Sequence, residues 1–253
     1  MDSFIGYFFK ETLEARRNYK YIILLAAIMF FSIFDPLMMR LMPLILEGEL
    51  PKEVIGLINT DRSSSIIGYY GDLAQLASIA LCFLASSSLG EEIRERKLII
   101  PLSKGAEGGS IVLAKVCHYV LSSSIVLFLG IAFNYFYTEL ILEGEMISSA
   151  AAISSLLYFA LYYIFIISLS IFFSSFITKG FIAAIATLIV LFIGSSLSQI
   201  NSFGKFLPYN LILRAMDLKE IEFILAIPLT LIYSIVLIAL SIVIFNRRKA
   251  YTG

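Results

Sequence analysis

Histidine occurs once in this 253-residue chain and cysteine twice. A single histidine, His118, cannot supply the several imidazoles of a histidine-based metal or catalytic centre. Cys82 and Cys117 form no CxxC pair, which removes a disulfide framework and a cysteine metal site, and both are expected as buried small residues. Net charge is also missing: 19 Lys and Arg balance 19 Asp and Glu, so no basic surface for nucleic acid is encoded. No GxxxxGK[ST] phosphate-binding loop occurs, and no soluble segment is long enough to hold an ATPase domain. What the chain has in excess is apolar surface. It is 59% hydrophobic and only 15% charged, with a mean hydropathy of +0.91. One soluble core of this size could not hide that much, so lipid is the expected solvent.

Six apolar runs are long enough to cross about 30 Å of hydrocarbon as helices. They are Tyr21 to Phe34, continuing past Asp35-Pro36 to about Leu46; Ile66 to Leu89; Val116 to Tyr137; Ala150 to Phe176; Phe181 to Leu197; and Phe223 to Phe245. None alternates strictly as a barrel strand would. Helices satisfy their own backbone groups in lipid, so the expected fold class is all-α: a polytopic membrane protein of six transmembrane helices. The whole of 1–253 reads as one transmembrane domain.

Lysine and arginine then set orientation. With the N-terminus inside, thirteen of them fall on the cytoplasmic side and six outside, and only an even number of spans preserves that bias. The expected location is a multi-pass cell-membrane protein with both termini cytoplasmic. Ahead of the first span, Phe4, Ile5, Phe8, Phe9 and Leu13 repeat at helical spacing, with Lys10, Glu11, Glu14 and Arg17 on the other face. Residues 1–20 therefore predict an interfacial helix rather than a cleavable signal, since no small-residue cleavage site follows a short apolar core.

The cytoplasmic segment 90–115 carries the most pattern. It runs Glu91-Glu92-Ile93-Arg94-Glu95-Arg96-Lys97, then Leu98-Ile99-Ile100-Pro101, then Lys104 and a glycine-rich stretch before Lys115. A bare connector needs only a few residues. This one reads either as a rigid knob that docks a cytoplasmic protein or as a solvated loop whose basic residues fix topology.

The order of these features resembles the ABC-2 type permeases, the membrane subunits of a class of ATP-binding-cassette transporters. That family has an acidic pair after the second span, a basic turn, paired aliphatics, a proline, and a lysine opening the third span. Glu91, Glu92, Arg94, Arg96, Lys97, Pro101, Lys104 and Lys115 match in sequence; the usual Gly-Thr after the charged cluster is replaced near Lys97-Leu98. The resemblance extends to the interfacial helix, the short turn Ser174 to Lys179, an outer segment at 201–222 and the basic tail Arg247-Arg248-Lys249. It implies a coupling loop that contacts a separate ABC ATPase subunit through Glu91, Glu92, Arg94, Arg96, Lys97, Pro101 and Lys104. It implies a second contact at the turn bearing Ser175, Thr178 and Lys179. It further implies a homodimer, or a heterodimer with a related permease, working as an exporter in the lipid bilayer. ATP and Mg would sit on the partner; this chain would bind no cofactor, no metal and no nucleic acid, and would carry no catalytic residue.

Other classes leave traces too. Glu91-Glu92 with Arg96 fits the EExxxR pattern of CAAX-protease-like membrane peptidases, but those need further histidines. A secondary carrier would show inverted repeats or midplane charges. The vitamin-uptake systems carry paired Ala-Arg-Ser or Ala-Arg-Gly motifs, which this chain lacks. Asp35-Pro36 and Arg40 are expected near the outer end of the first span, at a break between it and an outer helix, and Asp72 near the start of the second. His118 is expected at the interface beside Lys115.

Overall fold

The computed structural model describes residues 3–47, 60–145, 147–200 and 203–249. It is 84% helical, with no strand among the described residues. The all-α expectation therefore holds, and six helices are long and apolar enough to cross a membrane. A short helix α1 (Ser3–Arg17) precedes them. The long helices are α2 (Lys20–Leu46), α3 (Arg62–Arg94), α5 (Gly108–Ile141), α6 (Ser149–Phe176), α7 (Gly180–Ser198) and α9 (Ala226–Lys249). Between α3 and α5 lies the one-turn helix α4 (Ile99–Ser103). Between α7 and α9 a 3₁₀ turn (Gly204–Phe206) leads to α8 (Asn210–Met216), which packs on α6. The predicted outer segment 201–222 is thus partly helical; its first two residues lie outside the described set.

Burial sorts the helices. The most apolar stretches of α3 and α6 are 61% and 56% buried, against 28% for α7, 22% for α2 and 17% for α9. Helices α3 and α6 form the centre, α5 is intermediate at 44% buried, and α2, α7 and α9 turn broad apolar faces outward, as a lipid solvent allows.

Helix ends are closed by identifiable groups. Asp61 caps α3, its carboxylate accepting from the Ser64 N–H, and Ser148 caps α6 through Ala151. Arginines close C-termini: Arg62 donates to the carbonyl of Glu139 in the last turn of α5 and to those of Leu142 and Gly144 beyond it, and Arg248 to those of Ser175 and Phe176 at the end of α6.

Several boundaries differ from the sequence reading. No break follows Asp35-Pro36: α2 runs on to Leu46 with Pro36 and Pro43 inside it. Pro36 has no N–H to give the Ser32 carbonyl, and the Asn134 amide of α5 donates to that carbonyl instead, at 3.1 Å. The neighbouring helix thus repairs the ladder. Asp35 consequently sits fifteen residues into a 27-residue helix, not at its end. Similarly, α5 begins at Gly108, about two turns before the predicted span, which carries Lys115 inside the bundle. A π-helical turn at Leu73–Ala77 interrupts α3 just after Asp72. Its freed Leu73 carbonyl accepts from the Ser78 and Tyr163 hydroxyls, each at 3.1 Å.

Candidate functional site

At the end of the bundle shared by the start of α5 and the end of α3, a buried ion cluster is assembled from three helices. Lys115 of α5 is fully buried. Its ammonium lies 2.5 Å from Glu11 Oε1, 3.1 Å from Glu92 Oε2 and 3.1 Å from the Ser88 carbonyl. Lys10 pairs with the other oxygen of Glu92 and lies 3.5 Å from both Glu11 and Glu14. Burial alone would weaken the Lys10 ammonium; the Glu92 carboxylate beside it outweighs that and raises its pKa above the ordinary lysine value. Burial, followed by the charge of Glu92, pushes the Tyr7 hydroxyl up to about 12. Carboxylate oxygens of Glu11, Glu14 and Glu92 come within 4.8 Å of one another, a metal-triad spacing, but the two ammonium groups already supply positive charge there.

This cluster revises the face of α1. Its protein-facing row is Tyr7, Glu11 and Ala15, one residue per turn, so Glu11 points inward and not to solvent. Ile5, Phe9 and Leu13 form the exposed row, and Phe4 and Phe8 pack between the two. His118 is likewise buried, against Phe8, Tyr21 and Thr12. Cys82 is buried as expected, whereas Cys117 is exposed.

Beyond the cluster, residues 95–107 fold into a compact knob. The chain leaves α3 through Arg96, which has φ +58, with Lys97 N–H bonding back to the Glu92 carbonyl and Arg96 N–H to Ile93. This is a Schellman closure with arginine where glycine is usual. Helix α4 ends the same way, through Gly105 at φ +87, with Ala106 N–H bonding to the Pro101 carbonyl. Pro101 falls in the first turn of α4, where its missing N–H leaves nothing unbonded. Leu98 is buried and Leu102 packs on the core, which pins the knob down. Ile99 and Ile100 point away, 48% and 66% exposed.

The structure therefore divides the predicted contact residues. Arg94, Arg96, Lys97 and Lys104 are exposed, as the two isoleucines are, with Pro101 and Glu91 half-buried. Lys97 lies 2.6 Å from Glu95; the pair lowers the Glu95 pKa and raises that of Lys97. Glu92 is different: it is buried inside the ion cluster and presents no surface. Sequence reasoning named it as a contact and missed Lys10 and Lys115 as its partners, with Glu11 sharing Lys115. The pattern of charged residues on α1 was the available signal.

The second predicted patch lies close to the first. The Ser174 hydroxyl accepts from the Gly90 N–H and donates to the Ser86 carbonyl, both at 2.7 Å, which knits the end of α6 to the end of α3. A Cβ on Gly90 would meet the Ile177 carbonyl at 2.8 Å, and one on Gly180 would meet Ser87 Cα at 2.7 Å. Glycine at both positions admits this approach. Ser175 is buried, Thr178 half-buried and Lys179 exposed.

The fold and site define an all-α protein with six membrane-length helices and a basic, apolar-tipped knob at one end. Comparison with known proteins adds no relative: no family model matches the chain, and no curated protein matches its sequence.

Proposed function

We propose that this chain is the membrane-spanning permease subunit of an ABC transporter of the ABC-2 type, working as an exporter, and that the knob docks a separate ATPase. The observation that carries the reading is the exposed Ile99–Ile100 pair, on a segment that also exposes Arg94, Arg96, Lys97 and Lys104 and is pinned to the core by Leu98 and Leu102. Exposed paired isoleucines beyond the end of a membrane helix suit an apolar cleft in a partner, and the basic rim suits acidic edges around it. The buried ion cluster ties α1, α3 and α5 together where the knob leaves α3 and enters α5. A push on the knob then moves those helices as a body. The turn bearing Lys179, held against α3 at Gly90 and Gly180, supplies a second contact on the same end.

In this reading the basic end is cytoplasmic, both termini lie on that side, and two copies or one copy with a related subunit complete the path. ATP and Mg are bound by the partner. The arrangement of Glu92 disfavours the peptidase alternative, because both of its oxygens face ammonium groups and neither is left to activate a water.

The test is affinity purification of the tagged chain from its native membrane in mild detergent. A P-loop ATPase should co-purify with wild type and be lost from Ile100→Asp, with the variant still inserted and folded. A native complex without any nucleotide-binding companion would refute the reading.

A further inference from the structure

A groove of about 430 Å³ lies between α1, α2 and α5. Its walls are Leu25 of α2 and Leu121, Ile125, Val126 and Leu129 of α5. One end is formed by Phe8 and Thr12 of α1 with Tyr21 and His118. The hydroxyls in the walls are turned onto backbone: Ser122 donates to the His118 carbonyl at 2.8 Å, and Thr12 to the Phe8 carbonyl at 3.0 Å. Polar character is therefore confined to the neck, where the ring nitrogens of His118 face the Thr12 hydroxyl at 3.4 Å and the Tyr21 hydroxyl at 3.5 Å.

The dimensions of the groove select its occupant. From His118 to Leu129 the α5 wall rises about 16 Å, half of the roughly 30 Å of hydrocarbon and so the depth of one leaflet. Past Leu129 the two walls close on each other, Ile28 against Gly130 and the Asn134 amide on the Ser32 carbonyl, which makes that end blind. The groove opens sideways, past Leu121, Ile125 and Leu129, each about half exposed. A space of about 430 Å³ spread along that length takes one hydrocarbon chain and is far too thin for a helix about 10–12 Å across.

Charge at the mouth selects the head. Arg16 follows Thr12 by one turn on the same face of α1, with Arg17 next to it. Both are exposed, and neither forms an ion pair among the described residues. The acidic side chains of α1 are engaged elsewhere, Glu11 with Lys115 and Glu14 with Lys10. Tyr19, exposed at the turn into α2, suits the head-group level. We propose that this groove binds one anionic phospholipid from the leaflet on the knob side. One of its tails lies along Leu121 to Leu129, its ester region meets Thr12 and Tyr21, and its phosphate pairs with Arg16 and Arg17. The proposal requires α2 and α5 to cross a bilayer and does not depend on ATPase docking.

The chain contains no tryptophan, so one can be placed as a reporter. The test is quenching of that tryptophan, in phosphatidylcholine bilayers holding the full chain, by phosphatidylglycerol brominated on its tails. Phe128→Trp stands one turn past Ile125 at the exposed edge of α5, and Ile235→Trp on the exposed face of α9. Half-maximal quenching of Phe128→Trp should need about one-fifth of the phosphatidylglycerol fraction that Ile235→Trp needs, the factor expected of one basic side chain near an anionic head group. Adding Arg16→Gln and Arg17→Gln, both at exposed positions, should erase that difference. Adding Ser122→Phe instead, which fills the groove and keeps the arginines, should erase it too. Equal fractions for the two tryptophans, or a difference that survives either addition, would overturn the proposal. Failure of the brominated tails to quench Phe128→Trp at all would overturn it as well, since protein and not lipid would then fill the groove.

Discussion

Lys115 concentrates the electrostatics of the basic end in one side chain. Its ammonium, wholly buried, answers Glu11 of α1 and Glu92 of α3 at once. Removing one partner of a buried ion pair costs about 3–5 kcal/mol, because the remaining charge stays desolvated. Lys115→Met should therefore lower the thermal midpoint of the purified protein sharply and release α1 to proteolysis. Lys104→Met, at an exposed position, should shift it by less than about 0.5 kcal/mol. Equal midpoints for the two variants would show that the cluster does not hold α1. Little of this was legible in the sequence. Lys115 looked like the lysine that opens a span, and Glu11 looked like the wet face of an amphipathic helix. Periodicity reports which residues share a face, not which face meets protein, and α1 has two apolar rows with a charged one buried between its Tyr7 and Ala15 neighbours. Asp35 was misplaced for a related reason. Proline read as a break, because the Asn134 amide that satisfies the Ser32 carbonyl comes from a helix about a hundred residues on.

Elements were more legible than contacts. All six long apolar runs are helices, since run length is what lipid constrains. The ends moved by up to two turns, and the π turn in α3 had no sequence signal, because it depends on the Ser78 and Tyr163 hydroxyls that accept the burden of the freed carbonyl. The knob was recognised as a segment, but its two αL closures were not. They give a prediction belonging to this scale. Arg96 occupies a left-handed position that costs a side-chain-bearing residue about 1 kcal/mol, so Arg96→Gly should hold or raise thermal stability. Gly105→Ala should lower it by a similar amount. The same logic applies between helices. Gly180→Ala, whose Cβ would strike the α3 backbone, should destabilise by about 1–3 kcal/mol, whereas Gly194→Ala, with open space around it, should not. Matching melting curves for Gly180→Ala and Gly194→Ala would remove the close approach of α7 to α3 from the account.

At the scale of the whole molecule, α3 and α6 are central, α5 is intermediate and α2, α7 and α9 are outer, and the end that holds the ion cluster also holds the knob, the Ser174–Lys179 turn and the basic end of α9. Gathering these at one pole makes the proposed coupling mechanically direct: force on the knob enters α3 and α5 along the chain, and passes to α1 through buried ion pairs and to α6 and α9 through Ser174 and Arg248. The broad outward faces of α2, α7 and α9 leave room for lipid and for a second subunit. Everything in the functional reading requires this pole to lie inside the cell, opposite the end bearing Lys205. The most direct measurement is thiol labelling of intact cells with a membrane-impermeant reagent, in a Cys117→Ser background that leaves only the buried Cys82. Lys205→Cys should label from outside, and Lys104→Cys only after the membrane is permeabilised. Labelling of Lys104→Cys in sealed cells would contradict the account.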